Sequence, residues 1–194
     1  MELLGRIDPS LPLLVVAVAL EAQEIHTDLP ILITGVGKVA SGQAIMETLA
    51  GLPQTHRPKQ VINLGTAGAL VDDIEGTHVI GRVLQHDLDG VAIEALTGEN
   101  PTPDLVLGNG PTLATGDRFI SRQRDREQLA RRAQLVDMEG YAIASAAHRL
   151  GISVTLVKHV SDRANEAAAG IWADVVTTCS RHLGIWLQEQ NFAL

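Results

Sequence analysis

Apolar residues fall in short runs separated by small and polar ones, and the runs change period along the chain. Leu13 to Ala19 is unbroken and holds three valines, the pattern of a strand buried on both faces. Pro30 to Thr34 reads as a second short strand, after which Gly35-Val36-Gly37 turns the chain. Lys38 to Leu49 then carries Val39, Ile45, Met46 and Leu49 at helical spacing. Gln60 to Leu64 predicts a strand that ends in the small-residue turn Gly65-Thr66-Ala67-Gly68. Thr77 to Leu84 reads as one strand, followed by a polar stretch from Gln85 to Gly90 and a loop over residues 96–104. Thr112 to Thr115 predicts a short strand, and Ser121 an N-cap for a charged helix through Arg132. Leu135-Val136 is extended, and Met138 to Leu150 is a helix that Gly151 stops. Ile152 to Val160 is a second strongly apolar strand, and Ala167 to Glu189 a long C-terminal helix.

Strands that alternate with helices predict an α/β fold with a largely parallel, buried sheet. Its 194 residues suit one domain over residues 1–194. In such sheets ligands bind beyond the carboxyl ends of strands. That rule singles out Glu21, Gly65 to Gly68, Asp137 to Glu139, and Ser161-Asp162.

Composition narrows the partners. With 45% hydrophobic and 20% charged residues the chain can bury a core without staples. A net charge of −8 argues against a nucleic-acid backbone as partner. One cysteine, Cys179, permits no internal disulfide. No apolar run is long enough to span a membrane, and Leu11 to Leu20 lacks the basic flank of a signal peptide. The expected location is the cytoplasm.

Each candidate group carries a plain structural alternative. Asp162, after a buried strand, is either a helix cap or a desolvated acid able to protonate a ring nitrogen. Asp137 and Glu139 straddle Met138 at a strand-to-helix junction; they either complement a helix dipole or accept hydrogen bonds from a pair of vicinal hydroxyls. Glu21 and Glu24 are either an exposed helix face or groups that orient a water. Gly65 to Gly68 lacks the glycine spacing and lysine of a phosphate-cradling loop. His86-Asp87-Leu88-Asp89 has no companion His/Cys cluster and reads as a solvated loop, so no metal is expected. Cys179, with His182 three residues on, reads as a buried thiol rather than a nucleophile.

Five stretches in order, VVAVALEAQEI, TGVGKVAS, INLGTAGAL, ATGDRFI and VDMEGYAIASAAHRLGISVTLVKHVSD, resemble the nucleoside phosphorylase/nucleosidase superfamily. The resemblance is greatest to its 5′-methylthioadenosine/S-adenosylhomocysteine nucleosidase and futalosine hydrolase branch. It implies a three-layer αβα fold with a central, mostly parallel mixed sheet. It also implies a purine nucleosidase acting without cofactor on a small-molecule nucleoside, and a homodimer. By the same resemblance Glu139 holds the ribose with Met138 packed on the sugar, and Asp162 is the acid at the purine with Ser161 beside it. Glu21 orients the water, or Glu24 if the register is shifted by three. Phe119 stacks on the base, and the backbone of Ile120 meets its edge. Thr66, Ala67 and Gly68 line the sugar side, and Trp172 stands near the 5′ substituent. The chain departs from the pattern in a shorter segment before GVGK, in Lys158 where arginine is common, in His159 where a small residue is common, and in Arg118.

The superfamily contains both phosphorolysis and hydrolysis. A phosphate nucleophile needs an anion site, ordinarily built from arginine. From Leu11 to Ile33 there is no Arg or Lys, and a glutamate stands there instead. A carboxylate repels phosphate and can take a proton from water, which favours hydrolysis. A phosphorylase of the same fold, for which Lys38 and Lys158 are the candidate cations, and a nucleoside-binding module without turnover, motivated by the shortened segment and Lys158, remain the competing readings.

Overall fold

The computed structural model describes residues 1–166, 168–190 and 192. The first strand, β1 (Glu2–Leu4), is exposed and pairs antiparallel with β3 (Ile31–Ile33), which in turn runs parallel to β2 (Pro12–Val16). The apolar run expected as a strand to Ala19 stops at Val16, and a four-residue helix, α1 (Ala19–Ala22), follows. The turn starts there because the Glu21 carboxylate accepts from Ala17 N at 3.0 Å and so supplies a partner that a further ladder position would not. Helix α2 (Lys38–Leu49) has the predicted bounds.

Strand β4 (Gln60–Ala69) is the spine of the molecule. It is parallel to β2 at its start and parallel to β10 (Ser153–Asp162) along nearly all its length; its last residues pair antiparallel with β9 (Leu135–Asp137). The predicted turn at Gly65 to Gly68 is therefore incorrect: these residues continue the strand. They are small because neighbours press on them, not because the chain reverses. A Cβ on Gly68 would meet Ala164 Cβ and Asp162 Oδ1 at 3.1 Å.

The single strand expected over Thr77 to Leu84 is two. β5 (Thr77–Val79) pairs antiparallel with β10, and β6 (Arg82–Gln85) runs parallel to β8 (Thr112–Thr115). The corner between them needs Gly81, whose Cβ would stand 2.5 Å from Gly110 N. Because β8 also pairs with β9, the corner carries the sheet round from β10 to β9. Strand β7 (Leu105–Val106) covers the β6 edge.

Helix α3 (Gly90–Thr97) fills the gap between the polar stretch and the loop expected over residues 96–104 and runs into that loop; Asp89 caps it by accepting from Ala92 N at 3.0 Å, and none of its residues is buried. Helix α4 (Gln123–Ala130) starts after Arg122 with no side-chain cap, so Ser121 does not have the capping role expected of it. Helix α5 (Gly140–Arg149) begins two residues later than predicted. The last helix is α6 (Ala168–Glu189); its expected first residue, Ala167, lies outside the described residues.

Side chains alternate across the sheet as period-two strands require. Leu13, Val15 and Val61 pack with Ile45 and Leu49 of α2 and Ile143 and Ala147 of α5. Leu14, Val16, Ile62 and Leu64 face Leu183 and Leu187 of α6 on the other side. The result is the three-layer α/β arrangement, with a ten-stranded mixed sheet between helices.

Candidate active site

The carboxyl ends of β2, β4, β8, β9 and β10 converge on one cavity of about 240 Å³. All eleven residues singled out from the sequence line it: Glu21, Thr66, Ala67, Gly68, Phe119, Ile120, Met138, Glu139, Ser161, Asp162 and Trp172. Asp137 and Arg118 line it as well.

Four carboxylates of the cavity, Glu21, Asp137, Glu139 and Asp162, are buried. Glu21 is held by the backbone it turns. Its Oε1 accepts from Thr66 N at 2.9 Å and Thr66 Oγ1 at 3.1 Å, and its Oε2 from Ala17 N at 3.0 Å. Trp172 Nε1 donates to Thr66 Oγ1 at 2.9 Å, so α6 reaches Glu21 through one hydroxyl. Glu24 faces away: its N–H donates to Ser180 Oγ at 2.9 Å and its carboxylate lies 3.5 Å from Arg181. The register that selects Glu21 is the one whose side chain reaches the cavity.

The two carboxylates around Met138 have separate partners. Asp137 Oδ2 accepts from Gly140 N at 2.8 Å, at the first turn of α5, and ion-pairs with Lys158 Nζ at 2.9 Å; its Oδ1 accepts from Thr115 Oγ1. The structural task at the helix start thus falls to Asp137. Glu139 makes no capping bond to α5 and turns to Gly37, accepting from its N–H at 2.8 Å. Burial, and then the Asp137 charge, push Glu139 up to about 7, against the pull of Lys158 and the Gly37 N–H.

Asp162 ends β10 just after an irregularity in its pairing with β4, which re-aims the side chain. Its Oδ1 accepts from Ala164 N and its Oδ2 from Ser161 Oγ, each at 2.8 Å. Helix α6 starts at Ala168, well past these bonds, so Asp162 is not its cap. Ala164 has φ +48°, a left-handed conformation uncommon in a residue with a Cβ, and it packs against Gly68 beneath the carboxylate. Phe119 is half exposed at the mouth, while Ile120 beside it is buried.

The remaining candidates have ordinary explanations. Asp87 pairs with Lys38 at 2.5 Å and accepts from Asp117 N at 2.8 Å. Among the described residues no group of three His, Cys, Asp or Glu could hold a metal. Cys179 is buried, and burial pushes its thiol up to about 11. His182 stacks on His159, with ring centres 4.6 Å apart.

Comparison with known proteins bears on the family and the fold. Residues 83–183 match the family model described as the phosphorylase superfamily. A 5′-methylthioadenosine/S-adenosylhomocysteine nucleosidase of Shewanella oneidensis is 32% identical over 158 residues, 68% of this chain and 65% of that protein. One of Staphylococcus haemolyticus is 30% identical over 160 residues, 70% of this chain and 68% of that protein. The chain thus spans about two thirds of the length of the curated relatives it matches. Among solved structures, a futalosine hydrolase mutant of Helicobacter pylori superposes with TM-score 0.76 at 19% identity, covering 92% of this chain and 97% of that one. A mutant nucleosidase from the same organism, with 5′-methylthioadenosine in its active site, gives TM-score 0.78 at 18% identity over 93% and 97%. At such identities the structural likeness speaks for the fold.

Proposed function

The chain belongs to the phosphorylase superfamily, and from that premise we propose that it is a purine nucleosidase, hydrolysing the N-glycosidic bond of a 5′-modified adenosine-type nucleoside. The observation that carries this reading is three buried carboxylates, Glu139, Asp162 and Glu21, lining one cavity, the last of them fixed by backbone donors. Glu139 grips the 2′ and 3′ hydroxyls, with Met138 against the sugar and Thr66, Ala67 and Gly68 along its side. Phe119 stacks on the base, Ile120 meets its edge through the backbone, and Trp172 stands by the 5′ substituent. Asp162, with Ser161 as neighbour, delivers a proton to the purine as the glycosidic bond loosens. The sugar gains oxocarbenium character beside the Glu139 charge. Glu21 directs a water to the anomeric carbon and takes its proton.

Hydrolysis is favoured over phosphorolysis by the cations as well as by Glu21. Lys38 is engaged by Asp87, with Asp117 3.6 Å away, and Lys158 by Asp137. Arg118 lies at the Phe119 end with its guanidinium 3.6 Å from Asp125, on the base side rather than the water side in this reading. Nothing in the reaction calls for a cofactor or metal.

The reading extends to a homodimer and a cytoplasmic location. Val91 and Leu96 of α3 are 80% and 86% exposed, with Leu88 and Val106 also on the surface, and a second copy of the chain would cover such residues. No described helix is long and apolar enough to cross a membrane.

A panel of purine nucleosides scored by released base, with and without phosphate, tests the proposal. Base release independent of phosphate is expected; release that requires phosphate, or binding with no release, would overturn it. Asp162→Asn should lower turnover by ~10²–10⁴-fold, the usual worth of general acid help, with the fold retained.

A further inference from the structure

Lys158 has no part in the reaction as proposed, yet it is among the largest fully buried side chains of the protein, 1% exposed. An ammonium taken so far from water is tolerated only with carboxylates around it. Asp137, from the end of β9, is 2.9 Å from Nζ. Lys158 also lies over Gly65 of β4: a Cβ there would stand 2.9 Å from Nζ and 3.4 Å from Glu21 Oε1, so amine and carboxylate share the space a side chain would fill. Glu139, at the start of α5, acts on Lys158 through its charge, as Glu21 does from α1. Along β10 itself stand His159, stacked on His182 of α6, and Asp162; on β5 His78 is the register partner of Lys158, with its ring on Glu75 O. Three carboxylates therefore crowd one ammonium.

We propose that Lys158 is the positioning residue of this site: one buried positive charge, anchored on Asp137 and lying beside Glu21, that keeps Glu139 ionised in the same small cavity. Without it, Glu139 takes up a proton more readily, because burial and the Asp137 charge both favour the neutral acid. A protonated Glu139 no longer offers two acceptors to a diol. The balance is narrow, since Glu139 already sits at about 7 with Lys158 in place. Against the cost of burial, the Asp137 charge, with Glu139 and Glu21, holds the ammonium above its ordinary value, so the hub stays charged while Glu139 titrates. A glycine at position 65 is part of the device, because any side chain there would push Nζ off its place.

The role assigned to Lys158 rests on the nucleosidase reading for its effect on turnover, but not for its effect on charge. The test therefore has two parts. Carboxyl ¹³C titration of the unliganded protein is expected to show the Glu139 midpoint rising by about one pH unit or more in Lys158→Met, and returning to the wild-type value in Lys158→Arg. Where Lys158→Met does not fold, Lys158→Gln, which keeps a donor for Asp137 without the charge, carries the same expectation. In turnover the acid limb of kcat/KM should move to higher pH by the same amount. That amounts to about a fivefold loss at pH 7 that closes by about pH 9, with the wild-type profile restored in Lys158→Arg. An unchanged Glu139 midpoint in the neutral variants would overturn the proposal even if turnover fell. A midpoint that rises in Lys158→Met, in a protein whose wild type releases no base, would uphold it and overturn the nucleosidase reading instead.

Discussion

Replacing Glu21 by glutamine removes one charge and changes no volume, so its effect can be worked out bond by bond. The carboxylate accepts from Thr66 N, Thr66 Oγ1 and Ala17 N, with Val18 N at 3.4 Å. The Thr66 hydroxyl can turn; the backbone N–H groups cannot. A glutamine has one oxygen to offer, and either orientation points its NH2 at a backbone donor. Bonds to a charged acceptor are worth ~1.5–3 kcal/mol, and a buried N–H left unpaired costs ~1–3 kcal/mol. These overlap, and a net loss of ~2–4 kcal/mol is expected. For a chain of this size that lowers Tm by roughly 4–16 °C. Scanning calorimetry at pH 7 reads it directly. A Tm within about 1 °C of wild type would refute the bonding described for Glu21. Base release should fall separately, by ~10²–10⁴-fold, since the water loses its proton acceptor. Full activity in a destabilised variant would leave Glu21 a structural residue and remove it from the mechanism.

Other expectations follow from the same contacts. Glu139 is raised from its ordinary value to about 7, so between about pH 4.5 and 7 the folded protein holds a proton that the unfolded chain has released. Its contribution makes stability fall as pH rises through that window, and Glu139→Gln should flatten the decline in Tm measured from pH 5 to pH 8; a steeper decline would contradict the assignment. Gly68→Ala puts a Cβ 3.1 Å from Asp162 Oδ1 and Ala164 Cβ and 3.2 Å from Val136 Cγ1. Displacing the acid by a few tenths of an ångström should cost about tenfold or more in kcat/KM, and an unaffected variant would show that Asp162 does not need its present position.

The sequence is most informative where side-chain chemistry and strand ends coincide. Helix α2 and strand β8 have the bounds their periodicity predicts, and the rule that ligands bind beyond strand ends leads to the segments that form the cavity. Gly65 to Gly68 were unreadable for a specific reason: small residues that admit a neighbour's side chain have the same composition as small residues that turn a chain. Thr77 to Leu84 hid its corner because Ile80 is buried like a strand residue, and Gly81 is explained only by Gly110 across from it. Helix α3 escaped notice because none of its residues is fully buried, so only a weak polar–apolar face is imposed on it. Lys158 did carry a signal, a charge inside an otherwise apolar strand, but its partners come from β9, α5 and α1, and no spacing in one segment could reveal them. Glu139 and Asp137 show the same limit: adjacent and chemically alike, they are told apart only by which of them meets Gly37 and which meets Gly140.

Strand β4 has three neighbours and borders the cavity, and this bears on how such a protein can diversify. Each of its residues from Val61 to Ala69 already answers to a partner strand, a helix or the ligand wall. A change suited to a new substrate would have to suit the sheet as well, and few would. Phe119 at the rim and Trp172 on α6 answer to fewer masters, since neither belongs to the ladder. In a saturation-mutagenesis screen for altered nucleoside preference, surviving variants should therefore cluster at the rim and on α6. The β4 wall should remain nearly invariant and act as the fixed template against which new specificities are selected.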